Sequence, residues 1–309
     1  MQTIQLPGLK REVSRLILGT DYYSPSIMDR IEPIMDEFFS LGGTTFDTAK
    51  IYAGGESEKA LGLWIRNRNN REQVNVWTKG AHPDENGVRV RSDAIYEDLM
   101  TSLDQLQLDY VDMYALHRDD PDVEVGMIIE ALNEHVEAGR VLAIGASNWT
   151  YQRLQEANEY ASSHGLVGFT FSSPNFSLAK AKEPFWKGCV SVDDETWEWH
   201  NASKLPLLSW SSQARGFFTG RYSPENTENK DLVRVFYSDD NWARYRRAAE
   251  LAERKGVSTI QIALAYVLNQ PFPTCALVGP ANIAEMRSCH EASELKLTTE
   301  EVLWLEGKA

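Results

Sequence analysis

The chain has 309 residues, 42% of them apolar and 25% charged, which is the composition of an ordinary globular protein able to bury a large core. A formal net charge of −14 argues against nucleic acid or an anionic membrane surface as partner, since both are met with clustered Lys and Arg. Met1 leads into Gln2-Thr3-Ile4-Gln5 with no basic start or apolar leader, and no run of about 18 apolar residues occurs, so a cytoplasmic protein without membrane contact is expected.

Along the chain, short β-branched or aliphatic runs alternate with helical patterns, the signature of βα units and a parallel sheet. Eight strands are predicted, at 15–19, 44–47, 73–78, 110–115, 141–145, 168–172, 206–210 and 275–278, each followed by a helix. The helix over 92–107 sets Ile95, Leu99, Leu103 and Leu106 on one face, which should pack on the sheet. Residues 221–241 are polar and aperiodic and are predicted as a long loop after the seventh strand. Phe236 and Tyr237 would give that loop an aromatic tip, as a lid over a site or as a surface excursion. Ser258 with Gln261, and Thr298 with Glu301, are capping boxes, flanked by the apolar pairs Val257/Ile262 and Leu297/Val302. The run Ile262 to Leu268 is apolar almost all round and predicts a buried helix. Nothing resembling a linker or repeat divides 1–309, so one domain with a short N-terminal extension is expected. Cys189, Cys275 and Cys289 are odd in number and widely spaced, and the histidines at 82, 117, 135, 164, 200 and 290 lack ligand spacing. Buried free thiols and no metal are expected.

Four residues at or just past the ends of successive predicted strands form a coherent chemical set: Asp47, Tyr52, Lys79 and His117. Tyrosine is a poor acid at neutral pH, with an unperturbed pKa of ~10, but an ammonium beside it favours the phenolate. Asp47 would hold Lys79 charged and in place, and His117 would offer a ring nitrogen to the oxygen that receives the proton. Singly, Asp47 reads as a turn cap and Tyr52 as a half-buried loop aromatic. Lys79 after Val74-Asn75-Val76-Trp77-Thr78 is harder to explain away, because an unpaired ammonium drawn into a sheet interior is costly.

The segments carrying these residues resemble the aldo-keto reductase family over nearly the whole chain, on the side of its bacterial, channel β-subunit-like and inositol-catabolism-like branches. The likeness rests on Phe46-Asp47-Thr48-Ala49 running into Ile51-Tyr52, Ser57-Glu58, Leu61-Gly62, Thr78-Lys79, Asp112-Met113-Tyr114 before His117-Arg118, and Ile144-Gly145-Ala146-Ser147-Asn148. It implies an α/β fold, a (β/α)8 barrel with its active site at the carboxyl ends of the strands, and reduction of an aldehyde or ketone with a nicotinamide cofactor. Tyr52 would then be the general acid, with Lys79, Asp47 and His117 supporting it.

Neither a Gly-x-Gly-x-x-Gly nor a P-loop is present, so a nucleotide must be held another way. The resemblance implies an extended cofactor across the barrel mouth. Its expected contacts are Thr20, Asp21, Ser147, Asn148, Ser173, Trp210, Ser211, Gln213, Arg215, Gly279, Ala281, Glu285, Arg287, Ser288 and Cys289. Either Phe176 or Trp210 would stack on the nicotinamide. Ser173 stands where the family commonly has Gln, Ser212-Gln213 where Pro-Leu is usual, and Cys289 where an Asn usually meets the adenine. Ala281 occupies a position that often carries a residue for the 2′-phosphate of NADP, with Arg287 as its substitute. NADPH is the expected cofactor, with NADH the rival. Tyr22, Tyr23, Arg118, Trp149, Phe236 and Tyr237 are the expected substrate contacts; their aromatic faces and polar edges suit a sugar-like carbonyl compound or a small aromatic aldehyde. A nucleotide-holding regulatory module and a barrel glycosidase with two carboxylates are the competing classes. A monomer is the default expectation, with a homo-oligomer the alternative.

Overall fold

The computed structural model describes residues 1–308. A short antiparallel hairpin, β1 (Thr3–Ile4) with β2 (Val13–Ser14), comes first. Eight parallel strands then close into a barrel in chain order: β3 (Leu16–Gly19), β4 (Thr45–Asp47), β5 (Asn75–Gly80), β6 (Val111–Leu116), β7 (Val141–Ser147), β8 (Phe171–Ser173), β9 (Leu207–Ser209) and β10 (Thr274–Val278), which pairs back onto β3. The fold is the expected (β/α)8 barrel, and every predicted strand is present with shifts confined to its ends.

Strand parity fixes what fills the barrel and what crowns it. Successive side chains of a strand point to opposite faces, so Ile17, Trp77, Met113, Ala115, Ala143, Phe171, Leu208 and Cys275 meet in an inner cluster. Trp77 and Phe171 touch edge to face at 5.3 Å. Leu6, Leu9 and Val13 join the same cluster, so the hairpin region seals the barrel at the strands' amino ends. The same parity places Asp47, Lys79, His117, Ser147, Ser173 and Trp210 on the inner side at the carboxyl ends.

The alternate residues face outward into a second, larger core under the helices: α1 (Met28–Ser40), α2 (Glu56–Arg68), α3 (Ser92–Leu106), α4 (Val125–Glu137), α5 (Tyr151–His164), α6 (Asp194–Ser203), α7 (Lys230–Phe236), α8 (Asp239–Lys255), α9 (Thr259–Leu268), α10 (Ile283–Glu294) and α11 (Thr299–Glu306). Phe46 of β4 packs on Phe38 at 5.2 Å and Trp64 at 4.9 Å. The apolar face expected of α3 is buried, and both capping boxes form, at α9 and α11. The three cysteines are free and buried. Among the described residues no helix is long and apolar enough to cross a membrane, and no cluster of potential metal ligands occurs.

One expectation is corrected. The stretch 221–241 is not a structureless loop: it contains α7 and the start of α8, capped by the side chains of Asn229 and Ser238. Leu232, Val235 and Phe236 supply a short buried face, so Phe236 lies in the core against Phe185 and Phe217 rather than at an exposed tip. Tyr237 donates its hydroxyl to the Asn226 carbonyl at 2.7 Å. A seven-residue helix among polar residues is too short to declare a period.

Gly62 lets α2 approach α3, since a Cβ there would stand 2.2 Å from the Leu106 carbonyl oxygen. Because the obstruction is backbone, Gly62→Ala is expected to destabilise the protein by about 2 kcal/mol, as overpacked sites do. A chemical-denaturation midpoint indistinguishable from the parent's would refute the close approach.

Candidate active site

The β4–α2 connection delivers Tyr52 to the barrel mouth. Residues Tyr52–Gly55 form a 3-10 turn in which Ala53, Gly54 and Gly55 all take positive φ. At Gly55, φ is 92°, a conformation open to glycine and strained for other residues. Beneath the turn, Ser57 Oγ donates to the Thr20 carbonyl at 2.7 Å and shares hydrogen bonds with the hydroxyls of Thr20 (2.7 Å) and Thr48 (2.9 Å). Thr20 Oγ1 in turn donates to the Asp47 carbonyl at 2.9 Å. Thr20 is therefore a buried brace under Asp47 and does not line the cavity, contrary to the expected cofactor contact.

Lys79 is the hub. Its Nζ donates to Asp47 Oδ1 in a short contact, to the Thr48 carbonyl at 2.9 Å and to Tyr52 Oη at 3.3 Å. The ammonium also stands 4.8 Å from the Tyr52 ring centroid and 4.5 Å from that of Trp77. Burial raises the Asp47 carboxyl to about 6 against the pull of Lys79, and lowers the Lys79 ammonium from its ordinary value. The Tyr52 hydroxyl is pushed well above 10, first by burial and then by the Asp47 and Asp21 carboxylates. His117 is held well below 6.5 by burial and by Lys79, so its ring is neutral. That ring lies 5.6 Å from Tyr52 and 4.9 Å from His82, and its Nδ1 is buried with no partner. The four residues expected to act together are thus brought together.

They open on a cavity of about 1510 Å³ at the carboxyl ends of the strands. Of the expected cofactor contacts, Asp21, Ser147, Asn148, Ser173, Trp210, Ser211, Gln213, Arg215, Gly279, Glu285, Ser288 and Cys289 line it. Ser147 Oγ donates to the Ser173 carbonyl at 2.9 Å, and Trp210 Nε1 donates to Asn148 Oδ1 at 3.2 Å. Ser173 Oγ is buried with no partner. Of the two aromatic candidates, Trp210 lines the cavity, whereas Phe176 is buried against Tyr266. Burial pushes the Cys289 thiol up to about 12, and its sulfur meets Gln213 Oε1 at 3.8 Å.

Other expected residues lie off the cavity wall. Ala281 and Arg287 do not line the cavity; the Arg287 guanidinium is paired with Glu37 at 2.7 Å. Among the expected substrate contacts Tyr22 and Arg118 line the wall, but Tyr23 and Trp149 are core residues. Trp149 donates Nε1 to the Arg118 carbonyl at 3.2 Å and packs on Phe169. Phe236 and Tyr237 lie away from the cavity for the reasons given above. The sequence reading missed Ile51, His82, Val88, Trp186 and Cys189, all of which line it. A tryptophan between Pro184 and Gly188, in a segment without strand or helix pattern, is the signal that was available for Trp186.

A profile of the aldo/keto reductase family matches residues 15–308. The chain belongs to this family. It is 30% identical to versiconal hemiacetal acetate reductase of Aspergillus parasiticus, over 97% of this chain and 94% of that one. Norsolorinic acid reductase stcV of Emericella nidulans is 26% identical over 97% of this chain and 79% of its own length. A probable voltage-gated potassium channel subunit beta of Oryza sativa subsp. japonica is 29% identical over 77% of this chain and 74% of its own. A crystal structure of a thermostable aldo-keto reductase in complex with the inhibitor epalrestat shares the fold, with a TM-score of 0.77 at 22% identity over 100% of both chains. The family member described here is an oxidoreductase of carbonyl compounds.

The two loops beside the site are tied to one buried carboxylate. Asp98 of α3 accepts from Lys50 Nζ at 2.5 Å, from Arg89 at 2.7 and 2.9 Å, and from the Ala81 N–H at 2.8 Å. Burial pushes this carboxyl up, but the bonds from Arg89 and Lys50 outweigh it and hold the group below its usual range. Asp98→Asn is expected to cost about 3 kcal/mol of stability, as removal of one partner from a buried charge network does. Loosening of the Tyr52 loop should also lower kcat/KM by about tenfold at a temperature where the variant stays folded. An unchanged midpoint and unchanged kinetics would show that Asp98 ties nothing together.

Proposed function

We propose that this reductase converts an aldehyde or ketone to the alcohol with a nicotinamide dinucleotide, Tyr52 acting as the general acid. The observation that carries the reading is the buried Lys79 ammonium placed between the Asp47 carboxylate and the Tyr52 hydroxyl. A dinucleotide fits the donor set. The partnerless Ser173 Oγ, beside Ser147 and the Trp210 indole, offers a carboxamide a hydrogen bond and a face to stack on. The segment Ser211–Gly216, with Ser211, Ala214, Arg215 and Gly216 at positive φ, provides a concave backbone and a guanidinium suited to a pyrophosphate.

The bound cofactor supplies the hydride. Tyr52, protonated throughout the neutral range, donates its proton to the oxygen of the carbonyl as negative charge develops there. Lys79 then stabilises the phenolate at 3.3 Å, and Asp47 keeps the ammonium in place. Neutral His117 orients the carbonyl oxygen by hydrogen bonding. In the oxidative direction Tyr52 is the base, which the raised pKa makes favourable only at alkaline pH.

NADH is the proposed donor and NADPH the weaker one. The guanidinium expected to meet a 2′-phosphate is occupied by Glu37, while the cavity wall there carries the Glu285 carboxylate, which accepts from the Ala281 N–H at 2.8 Å. A purely regulatory role would leave the buried proton-transfer set without purpose, and turnover decides the matter.

Tyr52→Phe is expected to bind cofactor normally yet lose about a thousandfold in kcat for carbonyl reduction, within the range general acid catalysis contributes. Near-parental turnover would remove Tyr52 from that role. In the parent enzyme kcat/KM should be higher with NADH than with NADPH; the reverse order would place a phosphate-binding cation elsewhere on the wall.

A further inference from the structure

The turn that carries Tyr52 needs holding. Ala53 takes φ of 49°, followed by Gly54 at 66° and Gly55 at 92°, and a residue with a side chain persists in the left-handed region only where its surroundings fix it. The Ser57 hydroxyl and the Lys79 ammonium act on the turn from the barrel side. On its other side lies α3. Asp98 and Gln105 stand seven residues apart on that helix, so they share one face, two turns or about 10.5 Å apart along the axis. Asp98 holds Lys50 at the start of the connection, and Gln105 meets Gly55 at its end.

Two observations set the Gln105 amide against the turn. A Cβ at Gly55 would stand 2.6 Å from that amide, so the space glycine leaves beside the backbone is filled by this side chain. Turned with its nitrogen inward, the amide donates to the Gly55 carbonyl at 3.3 Å and to Glu58 Oε2 at 2.7 Å. The opposite orientation would set oxygen against oxygen at both contacts, so the buried Glu58 carboxyl decides which way the amide points. Glu58 is itself fixed, its Oε1 accepting from Thr78 Oγ1 at 2.5 Å, one residue before Lys79. The contacts therefore run from the strand that carries the ammonium, through Glu58 and Gln105, to the turn that carries Tyr52.

We propose that Gln105 is a positioning residue for Tyr52, a strap from α3 to the end of the turn that keeps the hydroxyl beside Lys79, with Glu58 aiming its amide. Neither Gln105 nor Glu58 lines the cavity, so the strap acts on the reaction through the turn alone. This rests on the reductase reading above and deepens it by naming what sets the position of the acid. Without the donated hydrogen bond the end of the turn is freed, and Tyr52 spends time where proton transfer is slow. The groups offered to the nucleotide are untouched.

The test uses Gln105→Met, which fills the space but carries no N–H, and Gln105→Lys, whose ammonium restores a donor between Glu58 and Gly55. Gln105 is half-buried near the end of its helix, so neither change threatens the fold. Peptide hydrogen exchange over residues 50–58 is read beside steady-state reduction of benzaldehyde and glyceraldehyde with NADH, and NADH affinity is read by quenching of tryptophan fluorescence. Gln105→Met should exchange about fivefold faster in that segment, as loss of one hydrogen bond allows. It should also lose about tenfold in kcat, while KM for the aldehyde and NADH affinity change by less than about twofold. Gln105→Lys should bring both exchange and kcat back to within about twofold of the parent. Unchanged exchange in Gln105→Met, or a Gln105→Lys as impaired as Gln105→Met, would overturn the strap, and parental turnover would leave the reductase reading standing. Faster exchange with undiminished kcat would overturn the positioning role. A parent inactive on both aldehydes would sink the reductase reading, and the exchange comparison would still decide whether Gln105 holds the turn.

Discussion

Everything at the mouth of this barrel depends on one buried ion pair. An ammonium or a carboxylate taken alone out of water costs several kcal/mol, so neither Lys79 nor Asp47 is tolerable at its position without the other. The pair is completed by the Thr48 carbonyl, and the ammonium's remaining direction is toward the Tyr52 hydroxyl. A buried pair of this kind is weak as a source of stability, and its value lies in fixing a charge at a stated point. The same burial that lowers Lys79 and raises Asp47 also keeps Tyr52 protonated and His117 neutral. One desolvated environment therefore sets the resting proton state of all four groups.

The fold is what makes such an environment affordable. Parallel strands with a two-residue side-chain period put Asp47 and Lys79 on the inner face of neighbouring strands, β4 and β5, whose register pairs Asp47 with Trp77, two residues before the lysine. The indole of Trp77 and the ring of Phe171 fill the space below, and water is excluded from the floor. Above the floor the loops do separate work. The β4–α2 turn carries the acid, the β7 and β9 ends carry hydrogen-bonding and stacking groups, and the connection after β8 carries an exposed indole. Asp98, on the inner face of α3, ties the β4–α2 turn, through Lys50, to the β5–α3 connection, through Arg89.

Most of the barrel was legible in the sequence because parity and periodicity are local properties. A strand end followed by Asp or Lys inside an apolar run announces both the element and the anomaly, so Asp47, Lys79 and His117 can be placed from the sequence. Tyr22 and Tyr23 show where that reasoning stops. They follow β3 in irregular backbone, no period says which turns inward, and only Tyr22 reaches the cavity. Long-range pairings were equally invisible: Arg287 pairs at the surface with Glu37, 250 positions earlier, and does not line the cavity. Thr20 is placed at the cofactor by the resemblance alone, yet its bonds run down to Asp47 and Ser57. Polar composition hid α7, whose capping asparagine and short apolar face look like a loop until tertiary packing selects them.

The claim that the Asp47–Lys79 pair governs proton delivery is tested most directly by the pH dependence of kcat/KM in the parent and in Asp47→Asn. Burial raises the Asp47 carboxyl to about 6 in the folded protein, so as pH falls through that value Asp47 takes up a proton and Lys79 loses its counter-ion. The account predicts that parental activity declines on the acid side with an apparent pKa near 6, while the neutral His117, held well below 6.5, adds no limb of its own there. Asp47→Asn should be slow at every pH and should lack the acid limb. An acid limb that persists unchanged in Asp47→Asn would contradict the account, because some other group would then be setting the proton state of the site.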